Sequence, residues 1–439
     1  MPRKLVLVVV DGMTPAAFER AVEGGRAPAM SFLAEHGDYR QATSVFPSLT
    51  PVCLTSIATG AGPAVHHIPS LVWWNRQERR VVEYGSSFAA LRAAGLSQSI
   101  LDPIFNMNAR HLAAGATTIY EALEDAGLVA GAVNITCYRG RHRYLPTLPA
   151  MHRPAYGPPR FFFYGLFESD RTVAPFAVRS RRAGSVDAYA AAVGRWLVTR
   201  DGFDFLAYYL SGYDFASHAA GPDGEVAAHA LEQADAAIWT LLEAAGGPDE
   251  FLERYAVVLL SDHGQTAVGR AARLEEPFAD VADQVVVTAS NRAGQVYLRP
   301  NARVDAGDLA RRLDGYSAVD VTLRREEDQM IARKDGADAP AEKLDHPDAA
   351  WRIGSALANP NAGELLVSAA EGWELTDLGG RHHAGGGSHG SLVAADSIVP
   401  LVTVGLRAEP RRITEVAPAI LELFGAAVPE SMEAFAGVG

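Results

Sequence analysis

The sequence predicts an α/β fold: a mostly parallel central sheet with helices on both faces and an inserted α+β cap. Three observations lead there. Strand-length apolar runs alternate with helical stretches along most of the chain, the βαβ pattern of a parallel sheet. Runs such as 5–10 and 257–260 are apolar throughout rather than alternating, which marks strands covered on both faces. The stretch 269–380 breaks this rhythm, with short runs such as Gln295-Val296-Tyr297-Leu298 set between charged loops such as Arg324-Arg325-Glu326-Glu327-Asp328.

Taken in order, the first strand is 5–10, and Thr14-Pro15 reads as an N-cap and first-turn proline opening a helix that ends near Gly24-Gly25. A second helix is expected over 30–35, an extended piece over 39–46, and a helix over 51–58 stopped by Gly60. Later units are helix 119–125 with strand 129–135, helix 186–198 with strand 205–210, and helix 225–245 with strand 256–260. After the cap, strand 398–404 and helix 413–424 rejoin the core. The expected organisation is a discontinuous metal-binding catalytic core (1–268 and 381–439), a substrate-lining insertion within it (137–185), and the cap (269–380).

Bulk properties narrow the function. A net charge of −13 argues against binding a nucleic-acid polymer or a membrane surface, but not against a small anion held by metals. Two cysteines, Cys53 and Cys137, give no disulfide framework. The N-terminal apolar run is short and is followed by Asp11-Gly12 rather than a cleavage site, so it reads as a buried strand, and a cytoplasmic location is the expectation. No stretch approaches the ~20 apolar residues of a membrane helix. Oligomeric state is left open.

Seven residues placed just after apolar runs, or at helix starts, carry the chemistry: Asp11, Thr50, Asp214, His218, Asp262, His263 and His389. In open α/β sheets ligands bind at the carboxyl ends of strands. Carboxylates, a hydroxyl and imidazoles form a ligand set for two zinc-like divalent ions. Asp11-Gly12 alone reads as a turn, and Thr50 alone as a helix N-cap; the same helix start also suits a nucleophile, because free N–H groups and the helix dipole favour phosphate. Asp214-x-x-x-His218 shares one face if helical. Asp262-His263-Gly264 follows an apolar strand, where unpartnered charge is costly. His389 lies in Gly385-Gly386-Gly387-Ser388-His389-Gly390, with His382 and His383 as alternatives for the same role. Residues 126–167 hold no acidic side chain but carry Arg139, Arg141, Arg143, Arg153 and Arg160 among aromatics. That bias suits either a wall facing substrate anions or a loop with a minor aromatic core.

Together these pieces resemble the alkaline phosphatase superfamily, and within it the type I phosphodiesterase/nucleotide pyrophosphatase family. The resemblance rests on Val9-Val10-Asp11-Gly12-Met13, Phe46-Pro47-Ser48-Leu49-Thr50-Pro51, Gly60 with His66-His67-Ile68, Tyr213-Asp214-Phe215-Ala216-Ser217-His218, Leu260-Ser261-Asp262-His263-Gly264-Gln265 and Ser388-His389-Gly390, with a similar closing helix over 416–425. It spans the core and not the cap. The resemblance implies two divalent ions, zinc foremost, one held by Asp214, His218 and His389, the other by Asp11, Asp262, His263 and the Thr50 oxygen. It implies hydrolysis of a phosphodiester or pyrophosphate, in a small phosphate ester or a nucleotide, through a phospho-threonine on Thr50. A phosphomonoesterase or phosphonate hydrolase on the same metals is the alternative, and a non-catalytic zinc-bound binding protein a third reading. The sulfatase pattern Cys/Ser-x-Pro-x-Arg is missing at Thr50-Pro51-Val52-Cys53, and a phosphoglycerate-type mutase would use serine. Family members often carry a base-stacking aromatic after the nucleophile, where Pro51 stands here, and an asparagine beyond it as a phosphate donor. Asn75 in Val72-Trp73-Trp74-Asn75 is the candidate donor, with Trp73 or Trp74 for stacking and Arg139 and Arg141 as further substrate contacts.

Overall fold

The computed structural model describes residues 4–148, 151–169 and 186–433. Core strands are β1 (Lys4–Val10), β2 (Asp38–Thr43), β3 (Ala130–Val133), β4 (Arg160–Phe163), β5 (Phe167–Glu168), β6 (Phe205–Leu210) and β7 (Tyr255–Leu260). The cap adds β8 (Val285–Ser290), β9 (Ala293–Leu298), β10 (Val319–Glu326), β11 (Gln329–Lys334), β12 (Ala337–Pro340) and β13 (Leu365–Ala369), and β14 (Ile398–Val404) returns to the core. The main sheet has the order β2-β14-β7-β1-β6-β3-β4-β5. Its centre, β7-β1-β6-β3-β4, is parallel. The pairs β7/β14, β14/β2 and β4/β5 are antiparallel. The cap is a separate antiparallel six-stranded sheet, β8-β9-β13-β10-β11-β12.

The period-two geometry of a strand explains the uninterrupted apolar runs. In β1, Leu5, Leu7 and Val9 enter one hydrophobic layer while Val6, Val8 and Val10 enter the other. Phe205, Ala207 and Tyr209 of β6 and Ala256, Val258 and Leu260 of β7 join the first layer, and their alternates the second. Two helix sets cover the layers. Helices α1 (Pro15–Glu23), α2 (Pro28–Glu35), α5 (Val186–Thr199) and α7 (Glu225–Ala244) lie on the second face. Helices α3 (Thr50–Thr59), α4 (Ile119–Asp125) and α8 (Val416–Phe424) lie on the first. A one-residue register slip would exchange the layers, so the packing fixes where each strand ends. Val10 pairs with Leu210, and Val9 with Leu260, so residues 11, 211 and 261 leave the sheet side by side.

The stretch 137–185, expected as a substrate-lining insertion, divides. Residues 149–150 and 170–185 lie outside the described residues. His142–Tyr144 and Ala155–Gly157 form a small hairpin, whereas β4 and β5 are the last two strands of the main sheet itself, with β5 at its edge. Four aromatics of this stretch build core: Tyr138, Phe161, Phe163 and Phe167 are all buried, with their rings packed at centroid distances of 4.5–6.5 Å, whereas Tyr156 and Tyr164 are exposed. Among the described residues, no helix is long and apolar enough to cross a membrane.

One buried polar contact ties the second-face helices together. The Asp235 carboxylate on α7 accepts the amides of Ala29 (3.1 Å) and Met30 (2.8 Å) in the first turn of α2, a turn with no side-chain cap of its own. Asp235→Ala leaves two buried N–H groups unmatched and is expected to lower unfolding stability by about 1–3 kcal/mol in urea melts.

Candidate metal centre

All seven site residues expected from the sequence converge at the carboxyl ends of β1, β6 and β7. Asp11 directly follows β1, and its amide donates to Leu210 O at 2.9 Å. Gly12 turns the chain at φ +67°, where a side chain would be strained and a Cβ would sit 2.9 Å from Asp214 Oδ1. Asp214 and His218 stand one turn apart on α6 (Gly212–Ala220), the helix that follows β6. Asp262 and His263 follow β7. The glycine run before His389 lets that loop lie on α6: a Cβ at Gly386 would fall 2.0 Å from His218 O.

Thr50 is the first residue of α3, and the N-cap is Leu49, which caps through no side chain. The N-cap reading of Thr50 is thereby corrected. Its hydroxyl faces the site instead, donating to His263 Nε2 at 3.0 Å.

Two donor groups result. Asp214, His218 and His389 offer ligand atoms within 4.8 Å of one another, and so do Asp11, Asp262 and His263. In the first, His218 Nε2 lies 3.3 Å from Asp214 Oδ2 and His389 Nε2 3.8 Å from Asp214 Oδ1. In the second, His263 Nε2 lies 3.3 Å from Asp11 Oδ1 and 3.5 Å from Asp262 Oδ2. The groups adjoin, with the His263 and His389 rings stacked at 3.6 Å. Of the alternatives to His389, His382 is exposed, and His383 pairs with Glu374 at 2.7 Å and stacks on His218 at 4.0 Å.

The surroundings prepare these atoms for cations. Each imidazole donates Nδ1–H to a backbone carbonyl: His218 to Gly387 (2.8 Å), His263 to Gly264 (2.9 Å) and His389 to Ser48 (2.8 Å). That assignment leaves every Nε2 lone pair facing inward. Asp11 Oδ1 and Asp262 Oδ2 are buried without hydrogen-bond partners. Burial, reinforced by Asp262 and Asp214, pushes the Asp11 carboxyl well above the carboxylate range, and burial pushes Asp262 up to about 7. For Asp214 burial acts the same way but is outweighed by His218, His389 and His263, which hold it below the usual range. Burial, with His263 adding, holds His389 well below the ordinary imidazole value and so neutral. Burial also opposes charge on His218 and His263, but Asp214 outweighs it and raises His218 to about 9, and Asp11 outweighs it and raises His263, so cations would displace protons from both. With the orphaned carboxylate oxygens, these three inward-facing imidazoles form a donor set suited to two divalent ions.

The sequence missed three supporting groups. Tyr209, inside β6, donates its hydroxyl to Asp11 Oδ2. Gln265 Nε2 donates to Asp214 Oδ1 at 2.6 Å. Asn291, from the cap, donates to His389 Nε2 at 3.0 Å. Two tyrosines in an otherwise apolar strand and an amide just past Asp262-His263-Gly264 were signals in the sequence for the first two; the third had none beyond a turn-prone asparagine.

The expected substrate contacts do not join the seven-residue cluster. Trp73, Asn75, Arg139 and Arg141 line a cavity of about 1360 Å³ whose walls include none of the seven residues. Trp73 is only 1% exposed, with its ring edge-on to His111, so it presents no face for stacking. Trp74, half-buried, lies in the same hairpin. Asn75 Oδ1 caps a turn by accepting from the amides of Gln77 and Glu78. Arg139 is engaged by Glu121 and the carbonyls of Ala113 and Ala116, and Arg141 by Asp125. Among the described residues, none of these five side chains hydrogen-bonds to the seven.

The sheet order, with the site at its carboxyl edge, is that of an alkaline phosphatase-like α/β fold. The chain belongs to the type I phosphodiesterase/nucleotide pyrophosphatase family, a bimetal phosphoesterase type, whose model matches residues 5–392. Among solved structures it is similar to phosphonoacetate hydrolase from Sinorhizobium meliloti in complex with phosphonoformate, at 19% identity and TM-score 0.66 over 96% of both chains. It is also similar to murine ectonucleotide pyrophosphatase/phosphodiesterase 5 (14% identity, TM-score 0.65, 97% of this chain and 96% of that one). The human counterpart gives 15% identity and the same TM-score and coverage. No curated protein matches the chain by sequence.

Tyr209→Phe removes the hydroxyl that donates to Asp11 Oδ2. It is expected to leave the fold intact and to weaken uptake of one of two metal equivalents by about 10- to 100-fold, read by metal titration.

Proposed function

We propose that this protein hydrolyses phosphodiester or pyrophosphate bonds of small phosphate esters through a phospho-threonine on Thr50, with two divalent cations, zinc foremost, in the paired donor groups. The observation that carries this reading is the position of the Thr50 hydroxyl: at the start of a ten-residue helix and 3.0 Å from Nε2 of His263, inside the ligand set. When bound, the cations supply Lewis-acid polarisation of phosphoryl oxygens and lower the pKa of the Thr50 hydroxyl. Thr50 gives up its proton and its Oγ1 bonds to phosphorus as the bond to the leaving-group oxygen breaks. The leaving oxygen takes that electron pair and a proton. Water then adds to phosphorus on the opposite side, the Oγ1–P bond breaks, and Thr50 recovers its proton. Asp11, Asp262 and His263 hold the ion beside Thr50; Asp214, His218 and His389 hold the other. The start of α3 favours the negative phosphoryl group through its free N–H ends.

The second reading, a phosphomonoesterase or phosphonate hydrolase, is favoured by Pro51 standing where a base-stacking aromatic was expected and by the burial of Trp73. Turnover of bis-p-nitrophenyl phosphate against p-nitrophenyl phosphate, with and without chelator, separates the two. A chelator-sensitive preference for the diester is expected, and equal or greater monoester turnover removes the diesterase reading. Thr50→Ala is expected to lower turnover by roughly a thousandfold or more while retaining both metals, and Thr50→Ser to keep part of the activity because the oxygen remains. Unchanged rates in Thr50→Ala exclude the covalent route.

A further inference from the structure

The cap reaches into the centre at one point. Ser290-Asn291-Arg292-Ala293 forms the tight turn between β8 and β9, with Asn291 at φ +55°. The turn is clamped to the segment bearing His389. Arg292 N–H donates to His389 O at 2.9 Å, and the Arg292 guanidinium, fully buried, pairs with buried Asp396 at 2.8 Å and donates to the carbonyls of Trp373 and Ala370. Leu375 N–H donates to Asn291 O at 2.7 Å. The Asn291 side chain is 5% exposed. Ser290 Oγ donates to its Oδ1 at 3.0 Å, which fixes the amide orientation and aims Nδ2 at His389 Nε2.

That hydrogen bond has an acceptor shared with the metal. His389 Nδ1 already donates to Ser48 O, so Nε2 carries the only lone pair of the ring. A cation bound by Asp214, His218 and His389 takes that lone pair and leaves the Asn291 N–H₂ buried without an acceptor, a state that native sites avoid. Three protein donors leave such an ion an open position, and an oxygen there is the nearest new acceptor for Nδ2.

We propose that Asn291 is a substrate-binding residue supplied by the cap: its amide donates to a phosphoryl oxygen seated on the cation of the Asp214–His218–His389 group. This rests on the phosphoesterase reading above. The competing role is purely structural, either holding the left-handed turn or bracing His389.

Asn291→Gly separates these, because glycine keeps the positive φ without strain and removes only the amide. Asn291→Asp keeps the shape and places a negative charge against the phosphate. Zinc-loaded wild type and both variants are compared by metal content, melting temperature and calorimetric titration with inorganic phosphate. Expected are two retained metals and an unchanged melting temperature in Asn291→Gly, with phosphate affinity lowered about 10- to 100-fold, and lower still in Asn291→Asp. Unchanged phosphate affinity in Asn291→Gly overturns the proposal. So does loss of a metal equivalent in that variant, which would make Asn291 a brace for His389. Metal-loaded wild type that binds phosphate but hydrolyses no ester would sink the hydrolase reading while leaving the Asn291 comparison decisive; wild type that binds no phosphate sinks both.

Discussion

The centre of this molecule is a charge problem. Three carboxylates and three imidazoles are drawn out of water at the ends of three adjacent parallel strands, and two carboxylate oxygens have no protein partner. Withdrawn from solvent and crowded together, Asp11 and Asp262 resist ionisation. A hydrophobic core would not tolerate that arrangement unless positive charge arrived to balance it. The neighbours make sense as preparation for that charge. Backbone carbonyls turn the imidazole lone pairs inward, Tyr209 and Gln265 fix the Asp11 and Asp214 carboxylates, and Gly12 clears room for Asp214.

Most of the fold was legible because its rules are local and periodic. Strands covered on both faces must be apolar at every position, so β1, β6 and β7 announce themselves, and their ends expose the polar residues that follow. The seven site residues were legible for the same reason: Asp11, Asp214 and Asp262-His263 interrupt or follow such runs, where a charged residue has few structural excuses. Fine geometry at Thr50 was not decidable from sequence, since an N-cap and a first-turn nucleophile share one residue type and nearly one position.

What failed did so through partners far away in the chain. The stretch around Arg139 and Arg141 lacks acids of its own, which made these residues look free for a substrate. The acids come from α4, where Glu121 and Asp125 face them across the fold. Asn75 had the right amide in the wrong place: its oxygen accepts from two amides of its own turn, and it lines a cavity whose walls include none of the seven. Asn291 was invisible because nothing in a cap hairpin signals that it will be pinned to a loop almost a hundred positions later.

The Arg292–Asp396 pair that does this pinning has a further consequence. It lies wholly out of solvent, and it joins the tip of the smaller sheet to the stretch leading into β14. Removing either partner would strand an opposite charge in the interior. The two sheets are therefore not modules that natural variation can trade independently. The hairpin tip must change in concert with the loop it grips.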